Sequence, residues 1–226
     1  MVSISYSLAG ALAGARAVFI DLDMTLADTM RGLMISLARV SGDYGLELPG
    51  DMDPRVFAKA YYRDSLVRTR DPVARWLFWR RVWIGYLEGR YYGSPMPCAP
   101  NILGRLAGRY LTAIVTGREV EAGLIIDELL YYGFPVELVR IHSTGDLWPG
   151  ATKRDLYERL AERYGALGIL RDHVVVISDS PRDLQYAREL GFKAVGFVPY
   201  DDGEIEDMLS RASGGVYIKS LCFDIL

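Results

Sequence analysis

Val18-Phe19-Ile20-Asp21-Leu22-Asp23-Met24-Thr25-Leu26 runs three apolar residues into an acid, with a second acid two positions on and a hydroxyl two beyond that. The apolar run is short, β-branched and continuous, as in a strand buried on both faces. In extended chain, residues i and i+2 point to the same side, so Asp21 and Asp23 can reach one point beyond the strand's end. Two carboxylates there repel unless a cation or a shared proton intervenes. Taken alone, the pair also suits an ordinary turn after a strand.

The same grammar recurs along the chain. Strands are expected over 17–21, 111–116, 138–142, 174–178, 194–198 and 216–218. Helical patterns over 101–108, 119–131, 153–164, 181–190 and 204–210 alternate with them, the signature of a parallel sheet with helices on its faces. The alternation breaks once. Between Asp28 and Pro97 no strand is apparent, and helices are expected over 29–40, 54–66 and 72–92, divided by SGDYG, LPGDMDP and TRDP. The segment YYGSPMPCAP reads as a hinge returning to the core. A helical insert beside a strand's C-terminal end suits a lid, because sites of such sheets lie at those ends.

Three further strand ends carry polar groups. In LTAIVTGRE, Thr116 and Gly117 precede an expected helix, reading either as an anion cradle or as a simple N-cap. In PGATKRDL, Lys153 opens a helix, where a cation opposes the macrodipole unless it answers an anion. In VVVISDSPRDL, Asp179 follows a strand, while Asp183 fits either a capping-box acid or a metal ligand.

Strand-DxDxT, strand-TG, helix-start Lys and strand-SDSxxD, in that order, closely resemble the four motifs of the haloacid dehalogenase-like (HAD) hydrolase superfamily. The resemblance implies an α/β fold, a Rossmann-like parallel sheet with helices on both faces plus a small α-helical cap. The core would span 1–27 and 97–226, and the cap 28–96. It implies that Asp21 is a covalent nucleophile and Asp23 its acid/base partner. Thr116, Gly117 and Lys153 would bind phosphate, and Asp21, Asp23, Asp179 and Asp183 would hold Mg²⁺. Met24 and Ser178 stand where many members have Gly. Asp23 favours phosphate esters over carbon–halogen bonds, whose cleavage needs no second aspartate. The implied activity is a phosphatase on a small phosphorylated metabolite, with a phosphomutase or a catalytically silent scaffold as alternatives.

The bulk numbers agree with this. The chain has 226 residues, 50% apolar and 24% charged, at the globular average. A net charge of −3 gives no field for holding nucleic acid. No run approaches the roughly 20 apolar residues that span a bilayer, and the Ala-rich start lacks a basic flank, so a cytoplasmic protein is expected. Cys98 and Cys222 are expected as two separate thiols in a reducing compartment. The near absence of amides, only Asn101 and Gln185, hints at a thermophilic source, where an intracellular disulfide is less implausible. Trp76, Trp79 and Trp83 form a helical stripe expected to pack the insert's own core. Arg75, Arg80, Arg81 and Arg90 flank it, and any of them that faced the cleft could bind a second anionic group of the substrate. His142 and His173 are expected to be structural.

Overall fold

A computed structural model describes residues 8–43, 53–63, 65–67 and 69–222. Most of the punctuation expected over 44–52, the first seven residues and the last four lie outside the described residues.

The Ala-rich start folds as α1 (Leu8–Leu12), which buries Leu8 and Leu12. Strand β1 (Ala17–Ile20) follows, with all four side chains buried. A short strand β2 (Ala27–Asp28) leads into the insert: α2 (Met30–Asp43), α3 (Pro54–Tyr62) and α4 (Pro72–Glu88). Asp53 and Asp71 cap α3 and α4 by accepting from backbone amides of the first turn, and proline sits at the first helical position of each. Strand β3 (Ser94–Pro95) then pairs antiparallel with β2. The chain was expected to have no strand in this segment; the two short strands are the neck of the insert, held by Asp28 opposite Ser94. Gly93 is required there, since a Cβ would meet the Asp28 carbonyl oxygen at 1.6 Å.

The core resumes with α5 (Ala99–Ala107), β4 (Leu111–Thr116), α6 (Ile126–Tyr131), β5 (Arg140–Ser143), α7 (Lys153–Gly165), β6 (Val174–Ser178), α8 (Pro181–Glu189), β7 (Lys193–Phe197), α9 (Gly203–Ser213) and β8 (Tyr217–Ile218). The six core strands form one parallel sheet in the order β5-β4-β1-β6-β7-β8. Strand β1 therefore lies between β4 and β6, and all three present their polar ends at the same edge. The architecture is the expected α/β sheet flanked by helices.

Two expectations fail here. The helix expected from Glu119 begins later, as a 3-10 turn over Ala122–Ile125 running into α6, so Thr116 and Gly117 are not at a helix N-terminus. Cys98 and Cys222 are not separate thiols: they form a disulfide with Cα atoms 5.1 Å apart. No helix among the described residues is long and apolar enough to cross a membrane.

Candidate active site

The ends of β1, β4 and β6 open into a cavity of about 230 Å³, closed from the other side by α3 and α4. Asp21, Asp23, Gly117, Lys153, Asp179 and Asp183 all line it. The groups singled out in four separate segments are thus brought together by strand order.

Asp21 is buried, accepting from the Leu22 amide at 2.8 Å and facing Lys153 Nζ at 2.7 Å. Burial pushes its carboxyl up to about 7, against the pull of Lys153. Lys153 also pairs with Asp183 at 2.5 Å, and the Ser178 hydroxyl lies 3.0 Å from Asp21 and 3.1 Å from Asp183. Burial would lower the lysine, but the two carboxylates outweigh it and hold the ammonium charged. Asp183 is accordingly not a capping-box acid. Ser180 caps α8 by accepting from the Asp183 amide, while the Asp183 side chain turns to Lys153 and Ser178. The capping box in this region belongs instead to Thr152 and Asp155, which start α7 and aim Lys153 inward.

Asp179 receives the Thr25 hydroxyl at 3.0 Å and the Tyr62 hydroxyl, from α3, at 2.6 Å. Its own amide donates back to Thr25 Oγ1 at 2.9 Å. Burial and then the charge of Asp21 push Asp179 well above the carboxylate range. Burial thus gives both Asp21 and Asp179 a raised affinity for protons, and both line the same cavity.

Asp23 has the opposite surroundings. Arg118 forks onto it, Nε to Oδ2 at 3.0 Å and Nη2 to Oδ1 at 2.8 Å, and the Thr29 hydroxyl donates at 2.7 Å. Thr116 Oγ1 adds a contact at 3.3 Å. Burial would raise Asp23, but the guanidinium outweighs it and holds the carboxyl below its usual range. Met24, next in the chain, has φ of +57°, the left-handed turn that folds the loop back so that its amide donates to Ala27. Gly117 needs no such freedom, since a Cβ there would meet only Lys153 Cδ, at 3.8 Å.

Sequence reasoning passed over Arg118, Glu128, Thr29 and Tyr62. Arg118 stands directly after the quoted Thr116-Gly117, yet nothing in its spacing says that it turns inward. The tryptophan stripe is buried as expected, but it lines the cavity rather than packing only the insert. Of the four flanking arginines, Arg75 reaches the cavity wall, whereas Arg80 is bound to Glu121 and the Glu119 carbonyl. Glu119 also faces the cavity, and burial pushes it up to about 8.

No protein-family model matches the sequence, and no curated protein matches it. Solved structures do. A haloacid dehalogenase-like hydrolase from Streptococcus pneumoniae shares 18% identity at a TM-score of 0.66, covering 87% of this chain and 91% of that one. The chain has the HAD-like fold. A HAD hydrolase from Bacillus subtilis, bound to magnesium and showing interdomain movement, shares 16% identity over 92% of this chain and 95% of that one, with a TM-score of 0.63. A predicted phosphoglycolate phosphatase from Haemophilus somnus shares 16% over 92% and 95%, with a TM-score of 0.60. The HAD-like resemblance seen in the four motifs therefore extends to the folded core and its helical insert.

Proposed function

We propose that this protein is a phosphatase for small phosphorylated metabolites, with a core over 1–27 and 97–226 and a cap over 28–96. One observation carries the reading: within one cavity, buried Asp21 stands 2.7 Å from a buried lysine and shares its surroundings with a second buried carboxylate on the neighbouring strand end.

The groups present fit Mg²⁺. Among the described residues no three His, Cys, Asp or Glu side chains form a ready metal cage. Mg²⁺ does not require one, since it takes one or two carboxylates and completes its shell with water and phosphate oxygens. Asp21, Asp179 and the Asp23 carbonyl would hold it, and Asp183, committed to Lys153, would act through water. When bound, the ion would add positive charge beside Asp21 and Asp179 and polarise the phosphoryl group.

The chain's own residues then divide the work. Asp21 attacks phosphorus, forming an aspartyl-phosphate as the bond to the leaving oxygen breaks. Asp23 gives that oxygen a proton, and later takes one from the water that releases phosphate. Arg118 keeps Asp23 anionic in the free protein, the form suited to the second step; an arriving phosphate dianion raises its proton affinity for the first. Lys153, the Gly117 amide and the Thr116 hydroxyl stabilise the transferring oxygens.

The test is turnover of 4-nitrophenyl phosphate with and without Mg²⁺, paired with the melting temperature in both conditions. Turnover that requires Mg²⁺, with a metal-dependent rise in melting temperature, is expected. Asp21→Asn should reduce turnover to background and keep the fold; a variant that still turns over removes Asp21 as the nucleophile.

A further inference from the structure

A heavily built cluster outside the four motifs surrounds Arg118. Its side chain is fully buried, and every edge of the guanidinium is used. One edge forks onto Asp23. The other binds Glu128 of α6, through Nη1 and through Nη2 at 3.1 Å. Its flat face lies against Trp83 at 4.4 Å and Tyr86 at 5.0 Å, both on α4 of the insert. Tyr86 reaches past it to donate to Glu128 at 2.6 Å, and Tyr132 donates to the same oxygen at 2.7 Å.

We propose that Arg118 is the positioning residue for Asp23, and that it makes this positioning depend on the insert being seated. The inference rests on the reading of Asp23 as proton donor. Asp23 sits in a turn, where its carboxylate could swing; the planar fork allows one orientation, which a point-charge lysine would not impose. The fork is itself held by Glu128 and by two aromatic rings from α4. If α4 lifts away, Arg118 loses both rings and Glu128 loses the Tyr86 hydroxyl, so water reaches the pair and loosens it. Seating of α4 over a substrate therefore sets the proton donor in place.

The step that reports on this is proton delivery to the leaving oxygen. As the P–O bond breaks, its electron pair stays on that oxygen, which takes the proton of Asp23. Phenyl phosphate needs this proton, whereas 2,4-dinitrophenyl phosphate leaves as a stable phenolate without it. The later water step is common to both esters and lies outside kcat/KM, which reads only the steps through departure of that oxygen. A merely structural defect lowers kcat/KM for both esters alike, whereas misplacement of Asp23 lowers it mainly for phenyl phosphate. General acids contribute about 10²–10⁴-fold, so Arg118→Lys should lower the ratio of kcat/KM values, phenyl over dinitrophenyl, by at least about tenfold.

Asp23→Asn should lower that ratio too, and adding Arg118→Lys to it should lower it no further. If Arg118→Lys does not fold, Glu128→Gln, which keeps both Arg118 and Asp23, should move the ratio in the same direction. Tyr86→Phe tests the link to the insert and should also lower it. An unchanged ratio in Arg118→Lys or its stand-in overturns the positioning role. A shift there with none in Tyr86→Phe overturns the dependence on α4. Wild-type protein that hydrolyses neither ester overturns the phosphatase reading itself, a result distinct from both.

Discussion

Asp21 and Asp23 stand two residues apart and face the same cavity, yet their proton affinities are driven apart by their neighbours. Asp21 is raised by burial; Asp23 is lowered by a guanidinium. Positions of the motif groups were legible in the sequence, because a strand end fixes where a side chain starts. Their partners were not, because Arg118 and Glu128 approach from a loop and from α6, and no period relates them to Asp23. His142 allows a test at this scale. Its Nε2 is buried without a hydrogen-bond partner among the described residues, and burial, with Arg163 nearby, pushes the imidazole down to about 4. Between about pH 6.5 and 4 the unfolded chain binds a proton that the folded chain refuses. Stability is therefore full above that window and falls as pH drops through it. Urea midpoints at pH 7, 5.5 and 4.5 should fall in that order, and His142→Leu should flatten the trend; an unchanged slope would show that other groups control it.

At the scale of elements, long periodic segments were readable and short or irregular ones were not. Helices α7 and α8 begin at Lys153 and Pro181, where the helical pattern of the sequence starts them. The neck strands β2 and β3 hold two residues each, too few for any pattern, and only their pairing across the insert makes them strands. Helix α4 is the instructive element. Its tryptophans were read as a core stripe from their spacing, but spacing gives a shared face and not what that face meets. The structure turns that face toward the cavity, and Arg75 lies on the same wall as Arg182 of α8. Burial, then the charge of Arg182, press Arg75 toward losing its proton, while Tyr61 and Glu119 act the other way. The two arginines on one wall make it the place where a second anionic group of a substrate would be read. Arg75→Ala should raise KM several-fold for phosphate esters carrying a second carboxylate or phosphate, and leave KM for 4-nitrophenyl phosphate nearly unchanged. Equal effects on both would place Arg75 outside substrate recognition.

Across the whole molecule, two kinds of tie differ greatly in strength: ion pairs join the insert to the core, and a disulfide closes the core on itself. Lys59 on α3 reaches Asp202 and Glu204 at the start of α9, at 2.8 and 2.9 Å. These pairs face solvent, where screening leaves such contacts weak, so they bias the insert's position without locking it. The disulfide does something else. It joins Cys98, just after the neck strand β3, to Cys222 beyond β8, across a separation of 124 residues. That span hid it from the sequence, since nothing local links a residue before α5 to the chain's end. It encloses nearly the whole core after the insert, including β4, β6 and Lys153, and leaves α2, α3 and α4 outside the loop. Closing a loop of this length removes chain entropy equivalent to about 4–5 kcal/mol from the unfolded state. The stabilisation therefore belongs to the core and not to the insert. Cys222→Ser should lower the unfolding free energy from urea titration by several kcal/mol, and a reducing agent should do the same to the wild-type chain and nothing to the variant. Because the insert is not enclosed, KM for 4-nitrophenyl phosphate should remain as in wild type at temperatures where the variant is folded; a large change in KM would mean that the disulfide also sets the angle of the neck.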